Sequence, residues 1–266
     1  MIQQMLLFLS QDFWARATIL GWSLAIIFTA IWLACYRPPL FSKPWLWAVF
    51  VGGAIMAPIA IVITYFPIGY VVTRLYSHFW SQETIMIWSW LLSLPSIIVF
   101  GLVWEGAKLL PVSIYWWRKN RDIEPTLGLL VGAVAGAGFG LLITQWSANY
   151  FILNSRWSWE LVQVQGFPAI AGFWEGFFIL GINVASTALA GWGLAKGWGW
   201  KFYLLAVLVY LVTNYNTVLV NLGLISATQA QLIIAAWALI VVGVTLWLRE
   251  RKLKVSRGKS KVSRKK

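Results

Sequence analysis

Trp104-Glu105-Gly106-Ala107-Lys108 places an acid and a base three residues apart inside residues 84–117, a run that is otherwise almost wholly apolar. A charged side chain at the centre of a membrane helix costs roughly 2.5–3.5 kcal/mol on insertion scales. The pair therefore implies a partner or a purpose. The run around it also decides the fold. At about 1.5 Å per residue it is long for one crossing of a ~30 Å hydrocarbon core. Pro95 and Pro111 allow either one kinked span or a helical hairpin.

The rest of the chain supplies the context. Of its 266 residues, 60% are hydrophobic and 11% charged, and long apolar runs recur from end to end. That is the signature of a polytopic, all-α membrane bundle, and no polar stretch is long enough to fold as a separate soluble domain. The one cysteine, Cys35, excludes an internal disulfide framework and any multi-cysteine metal site. The one histidine, His78, excludes a zinc site built on two or three histidines of this chain. No cofactor is expected. The net charge of +13 is concentrated, with ten of the 21 basic residues in the tail 249–266. A basic tail directly after a membrane helix is a topology and anionic-lipid signal rather than a nucleic-acid site. Twenty tryptophans agree, since indole rings favour the membrane–water interface.

In chain order, residues 1–14 read as an interfacial lead-in, and spans are expected at 17–36, 45–66, 84–117, 126–145, 167–195, 202–224 and 230–248. Together residues 1–248 form a single transmembrane domain. Pro67 and Gly69 are expected to end the second span, leaving Arg74 and His78 in a loop or interfacial turn. Residues 147–165 are polar and read as an interfacial helix. Seven crossings put seventeen basic residues on one side and three, Arg16, Arg74 and Arg156, on the other, with Lys108 inside the membrane. This positive-inside asymmetry sets the N-terminus outside and the C-terminus in the cytoplasm. A hairpin at 84–117 would scramble it, so one kinked crossing is expected.

The topology gives depths. Glu105 lies thirteen residues before Arg118, Asn183 thirteen before Lys196 and Asn214 thirteen after Lys201. Each is then about 20 Å from the cytoplasmic edge. On the sixth span Tyr210, Asn214, Thr217 and Asn221 follow one helical face. These residues, with Glu105, Lys108 and Asn183, outline a polar pocket among the third, fifth and sixth spans. A second reading stays open: the charge pair neutralises itself, and the Asn and Thr side chains are interhelical glue worth about 0.6–2 kcal/mol. Gly128, Gly132, Gly136 and Gly140, one every four residues, make a smooth stripe for a closely packed neighbour. Gly172, Gly176, Gly181 and Ala185 extend that small-residue character to the fifth span. Glu175 reads as a water-facing residue near its outer end.

Residues 104–108, then 122–141 (DIEPTLGLLVGAVAGAGFGL), then 183–195 (NVASTALAGWGLA) resemble the PrsW-type intramembrane proteases. The resemblance covers about residues 84–225, and the architecture is similar to that of the CAAX-processing membrane proteases. The family's first motif is Glu-Glu-x-x-Lys; Glu105 and Lys108 fit its second Glu and its Lys, while Trp104 replaces the first Glu. Its Gly-Phe-Ala-x-x-Glu fits Gly138-Phe139-Gly140, with the Glu falling at Ile143. Gly191-Trp192-Gly193 fits a Gly-Tyr-Gly, and the His before it falls at Asn183. A further His would fall near Val212 or Thr213, with Asn216 keeping a polar position after it.

The resemblance therefore implies an inherited scaffold with degenerate chemistry. Peptide hydrolysis needs a water activated by a general base or a metal. Asn is no base near neutral pH, and Trp and Ile offer no oxygen ligand. The expectation is a protein that has lost proteolysis and binds or scaffolds another membrane protein's transmembrane helix, or a lipid, in a bacterial plasma membrane. The alternative is an active protease cleaving single-span proteins through Glu105, Lys108 and Asn183, or with Glu175. A transporter ranks last, because no internal repeat accompanies the proline kinks.

Overall fold

The computed structural model describes residues 18–154 and 158–263, and for 150–154, 167–168 and 251–263 it describes the backbone alone. The lead-in 1–14, Arg16 and Arg156, and the side chains of the basic tail beyond Glu250 lie outside the described residues.

Among the described residues, seven helices are long and apolar enough to cross a membrane. The first, α1, is Ile19–Tyr36. It starts where the Thr18 hydroxyl accepts from Gly21 N at 3.0 Å and stops at Arg37, which turns left-handed with φ 46. The second begins as α2, Trp45–Ile63, and does not end at Pro67. The ladder widens into a π segment, Thr64–Ile68, and resumes as α3, Gly69–Phe79. Proline lacks the N–H that an α-ladder needs, and a wider turn absorbs that gap without a break. The Thr64 hydroxyl assists by donating to the carbonyls of Ala60 and Ile61 at 2.8 and 3.1 Å. This corrects the expected stop near residue 66: helix runs on for 35 residues to Phe79, and Arg74 and His78 sit exposed on it rather than in a loop.

A short helix α4, Gln82–Ile87, leads into α5, Ser89–Arg118, which is one unbroken helix of 30 residues with Pro95 and Pro111 inside it. The single crossing holds, and the hairpin does not form. Next comes α6, Pro125–Asn154, which runs well past the expected end at 145. It is followed by α7, Trp159–Gln165, a 3₁₀ turn Phe167–Ile170, and α8, Ala171–Ala195. Gly197, with φ +79, makes the left-handed turn into α9, Gly199–Asn221. Finally α10, Ala227–Ser263, carries the helix beyond the expected end at 248 and into the basic segment.

The core is the α6–α8 pair. Both have 78% of their most apolar stretch buried, against 28–39% for the other five crossings. Glycines explain how they approach. A Cβ at Gly128 would stand 2.6 Å from the Gly191 carbonyl, and one at Gly132 or Gly136 would meet the carbonyls of Thr187 and Asn183. On its other side α6 meets α2, where Gly53 faces the Ala135 carbonyl and Gly138 that of Phe50. Backbones in contact leave no room for side chains, so shape and dispersion hold these helices together. The indole of Trp32 on α1 lies on Gly181 and donates to the Phe177 carbonyl at 2.8 Å, tying α1 to α8.

Contacts near the helix ends fix which ends share a side. Trp45 stacks on Tyr115 with ring centroids 4.2 Å apart, Tyr36 bonds Thr245, and Arg249 donates to the Cys35 carbonyl at 3.3 Å. Gly128, near the start of α6, meets Gly191 and Ala195 near the end of α8, so Arg37, Lys43, Arg118, Lys119, Arg121, Lys196, Lys201 and Arg249 gather at one end of the bundle. Among the described residues, Arg74 is the basic residue of the opposite end.

Candidate functional site

Glu105 and Lys108 lie three residues apart on α5 and so share a face, which turns inward onto α8. Both are buried, with side-chain exposures of 2% and 1%. The ammonium of Lys108 donates to Glu105 Oε1 at 2.5 Å, to Asn183 Oδ1 at 2.9 Å and to Ser186 Oγ at 3.1 Å. The Ser186 hydroxyl in turn donates to Glu105 Oε2 at 3.2 Å. Asn183 completes its own valences locally: its amide donates to the Ile179 carbonyl at 3.0 Å, and its backbone carbonyl accepts from Thr187 Oγ1 at 2.8 Å. The net is closed. Charge is paired and the surrounding donors and acceptors are matched, which is what burial at this depth demands.

The scaffold sets this register. Asn183 sits where it does because Gly136 admits its carbonyl and Gly140 its Cβ, at 3.4 Å from where a methyl would stand. Phe139, on the adjoining face of α6, puts its ring 5.7 Å below the Lys108 ammonium. Trp104 roofs the same corner. Its ring lies 5.6 Å from Phe139 and 5.7 Å from Tyr210, and its N–H donates to Thr64 Oγ1 at 3.2 Å, on the π segment.

Of the residues singled out in the sequence, Glu105, Lys108 and Asn183 meet directly. Tyr210 packs against Gly101 and Trp104. Asn214 turns its amide onto the Tyr210 carbonyl at 2.9 Å, and Thr217 and Asn221 are exposed. On α9 it is Thr213 and Asn216 that are buried, each donating to a backbone carbonyl one turn earlier. Glu175 is half-buried on α8, and His78 is exposed. Ile143 lies in an apolar cluster with Ala57, Ala60, Ile61, Phe139 and Leu142.

Two features escaped the sequence reading. Ser186 is the third acceptor of Lys108, and its position three residues after Asn183 was the available signal. The other is a polar step on α6 just beyond Ile143. Gln145 is fully buried with neither end of its amide hydrogen-bonded, and Thr144 beside it has an unbonded hydroxyl.

Among the described residues no group of three or more His, Cys, Asp or Glu side chains is placed to hold a metal ion. No curated protein and no solved structure matches the chain. A family match does cover residues 42–155, from the approach to α2 through α6, and it ends before Asn183 and Ser186. This stretch, which carries the buried Glu105–Lys108 pair and the glycine stripe, matches the PrsW family of intramembrane metalloproteases.

Proposed function

We propose that the chain keeps a PrsW-type scaffold without proteolysis and serves as a binding or scaffold subunit for another membrane protein or a lipid. Its setting is a bacterial plasma membrane, with the basic end in the cytoplasm. The observation that carries this reading is the saturation of Lys108. An ammonium has three N–H donors and no acceptor, and three oxygens within 3.1 Å take all of them. Glu105 is likewise engaged, by Lys108 on one oxygen and Ser186 on the other. Neither group is free to activate a water.

The family's description implies a metal, and the donor set here does not fit one. A catalytic zinc takes about three His or carboxylate ligands and an open position. This corner offers one carboxylate, an Asn amide and a Ser hydroxyl, and a lysine cation already sits on them. The positions that the family fills with further ligands hold Trp104, whose ring is packed, and Ile143, which lies in an apolar cluster. What the scaffold retains is a bundle held by shape, its glycine faces packed against its own helices. Affinity purification of the full chain in mild detergent should bring down a membrane partner at fixed stoichiometry. A chain that purifies as a monodisperse species with neither a protein partner nor a retained lipid would contradict the reading.

A further inference from the structure

A groove of about 630 Å³ opens on the outside of the bundle between α2 and α5, away from the Glu105–Lys108 corner. Its floor is made where Gly52 meets the Pro111 ring, at 3.3 Å from where a Cβ would stand. Its walls are Ala48, Ile55 and Met56 on one side and Leu110 and Ile114 on the other, and Arg118 and Lys119 stand at its mouth. The stacked Trp45–Tyr115 pair, rings 6° from parallel, braces the same end.

Two measures identify an occupant. The first is length: from Trp45 to Met56 a helix rises about 16 Å, close to half of the ~30 Å hydrocarbon core. An apolar slot running from a charged mouth to mid-membrane matches one leaflet's acyl chain. The second is charge. Of the other cations at this end, Arg121 lies over Trp116, Lys196 over Trp192 and Lys201 over Trp198 and Trp200, while Arg37, Lys43 and Arg249 do not line the groove. Arg118 and Lys119 are exposed and, among the described residues, have no ion pair or ring partner. Two unneutralised cations above an apolar slot complement a phosphate above a hydrocarbon tail.

We propose that this groove is a binding site for one anionic diacyl phospholipid, with its phosphate at Arg118 and Lys119 and one acyl chain between α2 and α5. The site is separate from the basic tail and does not depend on whether the chain cleaves peptides.

The test is native mass spectrometry of the full-length protein in detergent, titrated with dipalmitoyl phosphatidylglycerol or dipalmitoyl phosphatidylcholine. The site should retain phosphatidylglycerol in a one-to-one adduct and not phosphatidylcholine. R118Q/K119Q should weaken that adduct by about thirtyfold, while K196Q/K201Q, which removes the same charge from the same end, should leave it unchanged. A48W fills the slot from its exposed side without touching the core or the charge, and it too should lose the adduct while eluting like the parent. Equal retention of both lipids would overturn the proposal. So would loss of the adduct in both double variants alike, or a protein helix held in the groove in place of lipid.

Discussion

Lys108 of α5 and Asn183 of α8 are joined across the bundle by a 2.9 Å hydrogen bond, seventy-five positions apart in the chain. The bond turns two costly charges into a latch. Glu105 and Lys108 neutralise each other on one helix, and Asn183 and Ser186 then fasten the pair to the helix at the centre of the core. Specific polar contacts of this kind fix register where apolar packing alone would allow sliding.

The latch makes a double-mutant prediction. Lys108→Met leaves a buried carboxylate with Ser186 as its remaining partner and should cost about 3–5 kcal/mol. Adding Glu105→Gln removes the stranded charge and should recover most of that loss. Denaturation in detergent followed by circular dichroism measures both. Additive losses would mean that the two residues are not coupled.

Glycine substitutions should separate packing from mere composition. At Gly132 a methyl group would run into the Thr187 backbone, which cannot move aside as a side chain can. Gly132→Ala should therefore cost about 1–3 kcal/mol. At Gly176 the nearest atom is Thr144 Cγ2 at 3.7 Å, an ordinary contact. Gly176→Ala should stay within about 0.5 kcal/mol of the parent. Equal effects would show that the stripe is not the helix contact.

Gln145 offers a test in the opposite direction. Its amide is fully buried with neither end bonded, and a buried group left unsatisfied costs about 1–3 kcal/mol. Gln145→Met keeps the length of the side chain and removes the orphaned atoms, so it should raise the unfolding temperature. A lowered temperature would mean that the amide has a partner that Met cannot replace.

Orientation can be read by single-cysteine labelling. Ser42 lies exposed in the turn between α1 and α2, and Gln82 is exposed beyond the other end of the second crossing. In a Cys35→Ala background, Ser42→Cys should react with a membrane-impermeant maleimide only from the cytoplasmic side, and Gln82→Cys only from outside. The reverse pattern would overturn the orientation set by the basic residues.

The crossings were legible because apolar length and charge asymmetry are properties of local sequence. Glu105, Lys108 and Asn183 were legible because depth along a straight helix is arithmetic. Rotation about the helix axis was harder. The polar face drawn through Tyr210, Asn214, Thr217 and Asn221 counts spacing along α9, but spacing does not say which neighbour that face meets. Thr213 and Asn216 are the buried pair. Pro67 misled for a different reason: a proline read alone is a helix stop, yet the π turn and the Thr64 hydroxyl accommodate it. Ser186 is not legible in the sequence, because a serine among small residues reads as packing until a lysine from another helix reaches it.

We propose that this corner of the bundle is a latch and not a catalytic centre. Purified chain in proteoliposomes with a single-span membrane substrate, with and without Glu105→Gln, tests it most directly. The substrate should stay intact in both, under conditions where the parent chain is shown to be folded. Cleavage by the parent that Glu105→Gln abolishes, with folding preserved, would contradict it.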